Sequence, residues 1–163
     1  MQTFSSMRRN STHQNFVASF FIFVVLFITQ ILSSLYPWIP PLLGFCFAYV
    51  ILATKQGSHH KFNLFMVLLY LSFYDVYQGF YPFSYLMLVL ISELFGLDRI
   101  EQMTSCEKCI LMFYVVIGYF GHFALNFLLA YILNAPLPYF SSNSIYWIGF
   151  DAILAFIFLK VRR

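Results

Sequence analysis

The nine lysine and arginine residues of this 163-residue chain stand in four places, and its six prolines stand in three others. The cations are Arg8 and Arg9, then Lys55 and Lys61, then Arg99 and Lys108, and last Lys160, Arg162 and Arg163. The prolines are Pro37, Pro40 and Pro41, then Pro82, then Pro136 and Pro138. The two kinds of place alternate along the chain, with an apolar stretch between each and the next. A chain that runs back and forth six times brings every cation to one end and every proline to the other. A five- or seven-segment reading breaks that separation.

Composition says what medium surrounds the segments. Hydrophobic residues make up 61% of the chain, aromatic ones 22% and charged ones 9%, with mean hydropathy +0.79. Soluble domains carry about 25% charge, and no soluble core of this size hides so much apolar surface. The expected fold is an all-α membrane protein: one integral domain over residues 1–163, six transmembrane helices arranged as three hairpins. The positive-inside rule puts the basic end, and with it both termini, in the cytoplasm. The net charge of +3 does not argue for a nucleic-acid partner, because the cations are thinly spread and serve orientation. Three cysteines cannot build a disulfide framework.

Taken in order, residues 1–14 form a polar cytoplasmic tail, followed by an apolar run over about 16–36. That run is longer than a signal-peptide core and ends in no small-x-small cleavage site, so a retained signal anchor is expected. Pro37-Trp38-Ile39-Pro40-Pro41 breaks the helix, with Tyr36 and Trp38 suited to a membrane interface. The second span covers about 42–54, the third 62–76 and the fourth 82–97. One helix over 62–97 would be roughly 54 Å long at 1.5 Å per residue, against a hydrocarbon core of about 30 Å, so a turn at Gln78-Gly79 fits better. The fifth span covers about 109–133 and the sixth 145–159.

Several polar groups interrupt these spans. Asp75 is the one charged residue between Lys61 and Glu93. At a bilayer centre it costs about 2.5–3.5 kcal/mol. Two readings stand: a polar contact at the outer end of the third and fourth spans, with Gln78, Gly79 and the hydroxyls of Tyr74, Tyr77 and Tyr81 nearby, or an interfacial residue that ends a helix. His122 and Asn126 share a face of the fifth span, and Asp151 lies in the sixth. Ionisable groups in a membrane turn inward and find partners, so Asp151 is expected to pair with His122 or Asn126. Glu93 is expected to snorkel or to meet Lys61 or Lys108. Gly118 and Gly121, with Ala124, make a small-residue strip for close helix packing, internal or toward a partner.

Cys106-Glu107-Lys108-Cys109 is a CxxC at the start of the fifth span. One reading is a pair of reduced cytosolic thiols. The other is a redox pair of a membrane thiol oxidase, against which stand the reducing compartment and the want of a second pair, since Cys46 is the only other cysteine. His59-His60 with the CxxC lacks the usual zinc spacing. Neither a metal nor a cofactor is called for. The chain has no Gly-rich phosphate loop, paired catalytic carboxylates, Ser-His-Asp order or HExxH, so nothing points to hydrolysis or group transfer.

The layout resembles the MreD family of bacterial rod shape-determining membrane proteins. The resemblance covers most of the chain and is carried by Ile28-Thr29-Gln30-Ile31-Leu32, by the proline-led second span at Pro40-Pro41-Leu42-Leu43-Gly44, and by Tyr74-Asp75-Val76-Tyr77-Gln78-Gly79-Phe80-Tyr81-Pro82. The final Phe158-Leu159-Lys160-Val161-Arg162-Arg163 is also similar. The chain departs from the family in having Tyr74 before the aspartate and Phe83 after the turn, where glycines are frequent.

The resemblance implies a non-enzymatic protein of the bacterial inner membrane, embedded in lipid and acting in cell elongation. Its partners would be an MreC-like protein and the RodA–penicillin-binding-protein wall synthase, with the MreB cytoskeleton reached indirectly. The family is similar in architecture to the substrate-binding subunits of vitamin importers. The expectation is therefore partner binding by helix packing, with a small-molecule importer subunit and a thiol oxidoreductase using Cys106 and Cys109 as alternatives.

Overall fold

The computed structural model of the chain describes residues 4–55, 61–94, 106–137 and 143–159. These residues form six α-helices and no strand: α1 (Phe4–Leu35), α2 (Leu43–Lys55), α3 (Lys61–Tyr77), α4 (Ser84–Leu94), α5 (Glu107–Ile132) and α6 (Asn143–Phe158). The all-α expectation holds, and five of the six helices lie close to their expected bounds. The N-terminal region differs. Helix α1 begins at Phe4, so most of the expected polar tail is already helical, because nothing between residues 4 and 16 breaks a helix.

Helix α2 is apolar on every side, and such a helix belongs at the centre of a bundle. It packs against α3, α4, α5 and α6. Phe47, Ala48, Val50 and Ile51 are wholly enclosed. Helix α1 takes the opposite position and lies chiefly on α3. Its buried face is the row Ser19, Leu26 and Gln30, and both polar members bond to α3: Ser19 to the Asn63 side chain, and Gln30 to the Tyr70 hydroxyl at 3.3 Å. This corrects the three-hairpin arrangement. Helices α3–α4 and α5–α6 do pack as neighbours, whereas α1 and α2 do not pair as the first hairpin.

The helices alternate in direction. At one end Lys55 reaches the Tyr114 hydroxyl at 3.1 Å, and Lys108 lies 3.9 Å from the Phe156 ring centroid. At the other end Trp147 Nε1 donates to the Pro37 carbonyl, and Tyr81 N to Asn126. Lys55 and Lys108 thus lie toward one end, and Pro37 and the Tyr81-Pro82 turn toward the other. Arg99 and the cations after residue 159 lie outside the described residues.

Lengths are uneven. Among the described residues one helical stretch, Lys108–Ile132, is long and apolar enough to cross a bilayer, while Ser19–Leu35, Leu43–Lys55, Ser84–Leu94 and Asn143–Phe158 are apolar but shorter. At 1.5 Å per residue α2 is roughly 20 Å long. The irregular segment before it is drawn into the protein: Pro40 and Pro41 are buried, and the Pro41 carbonyl accepts a hydrogen bond from Tyr70.

Candidate functional site

Helices α2 and α4 begin in the same unusual way. Each follows a proline, and each has an apolar residue at the N-cap: Leu42, whose carbonyl accepts from Cys46 N, and Phe83, whose carbonyl accepts from Met87 N. Both residues adopt a left-handed backbone, φ 55° and φ 66°. Neither carries an oxygen with which to cap the first amides of its helix, as Ser, Thr, Asp or Asn would. Buried amides left so are costly, and a carboxylate from another helix meets each end. It also carries the charge that a helix N-terminus favours.

Asp75 serves α4. It is wholly buried on α3, and its Oδ2 accepts from Tyr85 N at 3.0 Å. Its Oδ1 is 2.8 Å from His122 Nε2 on α5, so that nitrogen donates to the carboxylate. Asn126 completes the cluster. Its amide nitrogen donates to the His122 carbonyl at 2.9 Å and to Ser84 Oγ at 3.1 Å, and its oxygen accepts from Tyr81 N at 3.1 Å. The imidazole stacks on the Tyr85 ring, centroids 3.9 Å apart and 8° from parallel, with Phe80 edge-on at 4.9 Å. Asp75, in the last turn of α3 beside the Gln78-Gly79 turn, is therefore a buried residue that joins three helices, and its partners are Tyr85 N and His122, not Gln78 or the Tyr74, Tyr77 and Tyr81 hydroxyls. The physical reason is the demand of the α4 N-terminus for an anion.

Ser84, His122 and Asp75 lie together, but they are no hydrolytic relay. Ser84 Oγ and Asp75 Oδ1 both sit 2.8 Å from the same ring nitrogen, Nε2. A relay needs the serine on one nitrogen and the carboxylate on the other. Ser84 is also fully enclosed.

Asp151 serves α2. Its Oδ2 accepts from Gly44 N at 2.8 Å, Phe45 N at 3.2 Å and the Tyr119 hydroxyl at 3.0 Å. The expected pairing of Asp151 with His122 or Asn126 is thus wrong, because His122 and Asn126 are taken by the α4 end and Asp151 by the α2 end. Tyr119, His122 and Asn126 recur at helical spacing along α5, so one face of that helix supports both carboxylates. Sequence reasoning missed Tyr119, Tyr85 and Ser84. The readable signal was the apolar N-cap after each proline.

Beside the two ends lies a partly open cavity of about 140 Å³, walled by the rings of Tyr74, Phe80, Tyr85, Tyr119, Phe123 and Trp147 and reached by His122 and Ser144. Ser144, Trp147 and Asp151 share a face of α6, which puts Asp151 one turn beyond the wall. Gln78 is exposed and borders this cavity and a second one of about 330 Å³ formed with Gly79, Tyr81, Asn126 and Pro136. Gly79 itself makes the turn, with φ 74°.

The glycine strip packs internally. A Cβ on Gly118 would meet Phe47 at 3.1 Å and Gly44 Cα at 3.3 Å, and one on Gly121 would meet Leu88 at 3.0 Å. Cys106 and Cys109 are joined as a disulfide, with their Cα atoms 5.3 Å apart, and both are exposed. This differs from the expected pair of thiols; the turn that starts α5 already holds the two residues at bonding distance. Cys46 is buried and free. Glu93 is exposed and forms no ion pair with Lys61 or Lys108, the latter lying on Phe156. His59 and His60 lie outside the described residues, and among the described residues no group of three or more His, Cys, Asp or Glu could hold a metal. No protein-family model, curated protein or solved structure matches the chain.

Proposed function

We propose that this chain is a six-span protein of the bacterial inner membrane, both termini cytoplasmic, that works by binding other membrane proteins and catalyses nothing itself. The proposed setting is the cell-elongation machinery, with an MreC-like protein and the wall synthase as partners. The observation that carries the reading is the sorting of its surface. Large apolar side chains are exposed along α1, α5 and α6 (Phe21, Ile28, Leu128, Ile132, Ile153 and Phe158 among them), while Asp75, Asp151, His122 and Asn126 are enclosed. Such a surface suits lipid and apolar helices, where packing and hydrogen bonds drive association.

Helices α2, α3, α4 and α6 are 11–17 residues long and fall short of a full crossing by themselves. Tilt, local thinning of the bilayer and protein-buried irregular segments accommodate short helices, and the enclosed Pro40-Pro41 segment is of that kind. The polar contact toward a partner then falls to Gln78 at the exposed turn, not to Asp75.

Two experiments test the reading. Thiol labelling of single cysteines in intact and permeabilised cells, at position 61 and at position 137 in a Cys46→Ala/Cys106→Ala/Cys109→Ala background, should find 61 shielded and 137 accessible; equal accessibility would end the six-span topology. Affinity purification from mild detergent should recover a membrane partner from wild type and less of it from Gln78→Ala. A second reading, the binding subunit of a small-molecule importer, is favoured by the ring-walled cavity beside Gln78.

A further inference from the structure

We infer that the cavity between α3, α4, α5 and α6 is a binding site for a small organic cation, an alkylammonium group of the size of a methylated ammonium head. The inference stands apart from the partner-binding reading and needs no transport activity.

Size comes first. A cavity of about 150 Å³ holds a benzene-sized molecule, and this one measures about 140 Å³. Its volume suits one compact head group rather than the core of a drug-sized ligand, which takes about 300 Å³ or more.

Wall chemistry comes second. Six aromatic residues line the space. Aromatic faces carry negative potential and attract cations, most strongly when the cation is desolvated, and cages of rings recognise quaternary ammonium groups. No lysine or arginine lies among the lining residues.

Charge balance comes third. Asp75 has a titratable partner, His122, at 2.8 Å. Asp151 has no such match: its Oδ2 takes three neutral donors, and its Oδ1 is buried without a partner among the described residues. Tyr119, whose hydroxyl binds that carboxylate, also lines the cavity. The Tyr85 hydroxyl is buried and unpartnered too, on a side chain with no exposure that forms part of the wall. A cationic guest on the Tyr119 ring lies one side chain away from that carboxylate, and a guest with an O–H or N–H supplies a donor for the Tyr85 oxygen. An anion would find no cation of its own here, and an apolar guest would leave the carboxylate as it is.

The test is calorimetric titration of the full-length protein in phosphatidylglycerol nanodiscs with choline chloride and, in parallel, with 3,3-dimethylbutanol, its neutral carbon isostere. Choline should bind saturably, and the isostere at least about tenfold more weakly. Trp147→Leu, which removes one ring and keeps the wall apolar, should weaken choline by about tenfold. Phe123→Leu gives a second ring deletion should the first variant prove unstable. Repetition in phosphatidylcholine discs separates two sources of the same chemistry: loss of choline binding there means that the lipid head group occupies the site, and retained binding means that it takes the free cation. Equal binding of choline and isostere, no binding of choline at millimolar concentration in phosphatidylglycerol discs, or ring-deleted variants as tight as wild type would each overturn the inference.

Discussion

Asp151 accepts the backbone N–H of Gly44 at 2.8 Å across 107 residues of chain. Asp75 does the same for Tyr85 at 3.0 Å across 10. The two contacts repeat one solution. A short helix begins after a proline with an apolar, left-handed N-cap, and a carboxylate from a different helix stands in for the missing cap. Each aspartate therefore fixes where a helix starts as well as which helices adjoin.

Removal of Asp151 leaves Gly44 N, Phe45 N and the Tyr119 hydroxyl without their acceptor. Hydrogen bonds to a charged group contribute about 1.5–3 kcal/mol each, and orphaned buried donors cost further. Asp151→Ala should lower unfolding free energy in detergent by about 3 kcal/mol or more. Asp151→Asn keeps an oxygen for Gly44 and should fall in between. An Asp151→Ala protein as stable as wild type would show that the α2 end is satisfied in another way.

The Asp75–His122 contact should appear as a coupling. Asp75→Asn and His122→Gln each break a buried charge-assisted bond, and breaking one side of a buried pair costs about 3–5 kcal/mol. The double variant should lose less than the sum, by about 1–3 kcal/mol. Additive losses, measured by chemical unfolding, would mean that each residue acts through Tyr85 or Asn126 alone.

The glycines offer a graded comparison. A Cβ at Gly44 would lie 2.6 Å from Val115 Cγ1 and 2.8 Å from the Tyr119 ring, whereas one at Gly149 meets nothing within 4 Å. Gly44→Ala should destabilise by about 1–3 kcal/mol, and Gly149→Ala should be neutral or gain up to about 1 kcal/mol from helix propensity. Gly79→Ala has open space but φ 74°, so it should cost about 1 kcal/mol through strain alone. Thermal denaturation midpoints rank the three.

Much of the architecture was legible in the sequence. The alternation of cations with prolines pointed to the number and direction of the helices, because prolines are kept out of helix interiors and stand at their starts or in turns, and apolar runs between them have one obvious use. Neighbour relations were less legible. Helix α2 was readable as apolar throughout, but its central place follows from what surrounds it. The partners of Asp75 and Asp151 were misread for a related reason: complementarity between side chains suggested Asp151 with His122, while the stronger demand came from backbone amides at Gly44 and Tyr85. Leu42 and Phe83 were the overlooked evidence. An apolar residue directly after a proline and directly before a helix says that the cap must come from elsewhere.

Cys106 and Cys109 separate the partner-binding reading from a thiol oxidoreductase. They are exposed, joined to each other, and lie at the start of α5, at the end of the bundle that holds Lys55 and Lys108 and away from the cavity rings of Tyr74 and Trp147. Helix α5 also has a cap within the pair, since Cys106 Sγ accepts from Cys109 N at 3.3 Å. A Cys106→Ala/Cys109→Ala protein loses that weak local contact and one short crosslink, whose loop is too small to constrain an unfolded chain by much. It should insert, fold and co-purify its partner as wild type does. An oxidoreductase would instead lose all function in the same variant, and it would show a mixed disulfide with a partner protein when Cys109 alone is replaced. Non-reducing electrophoresis of the single variant, set beside co-purification by the double variant, decides between them.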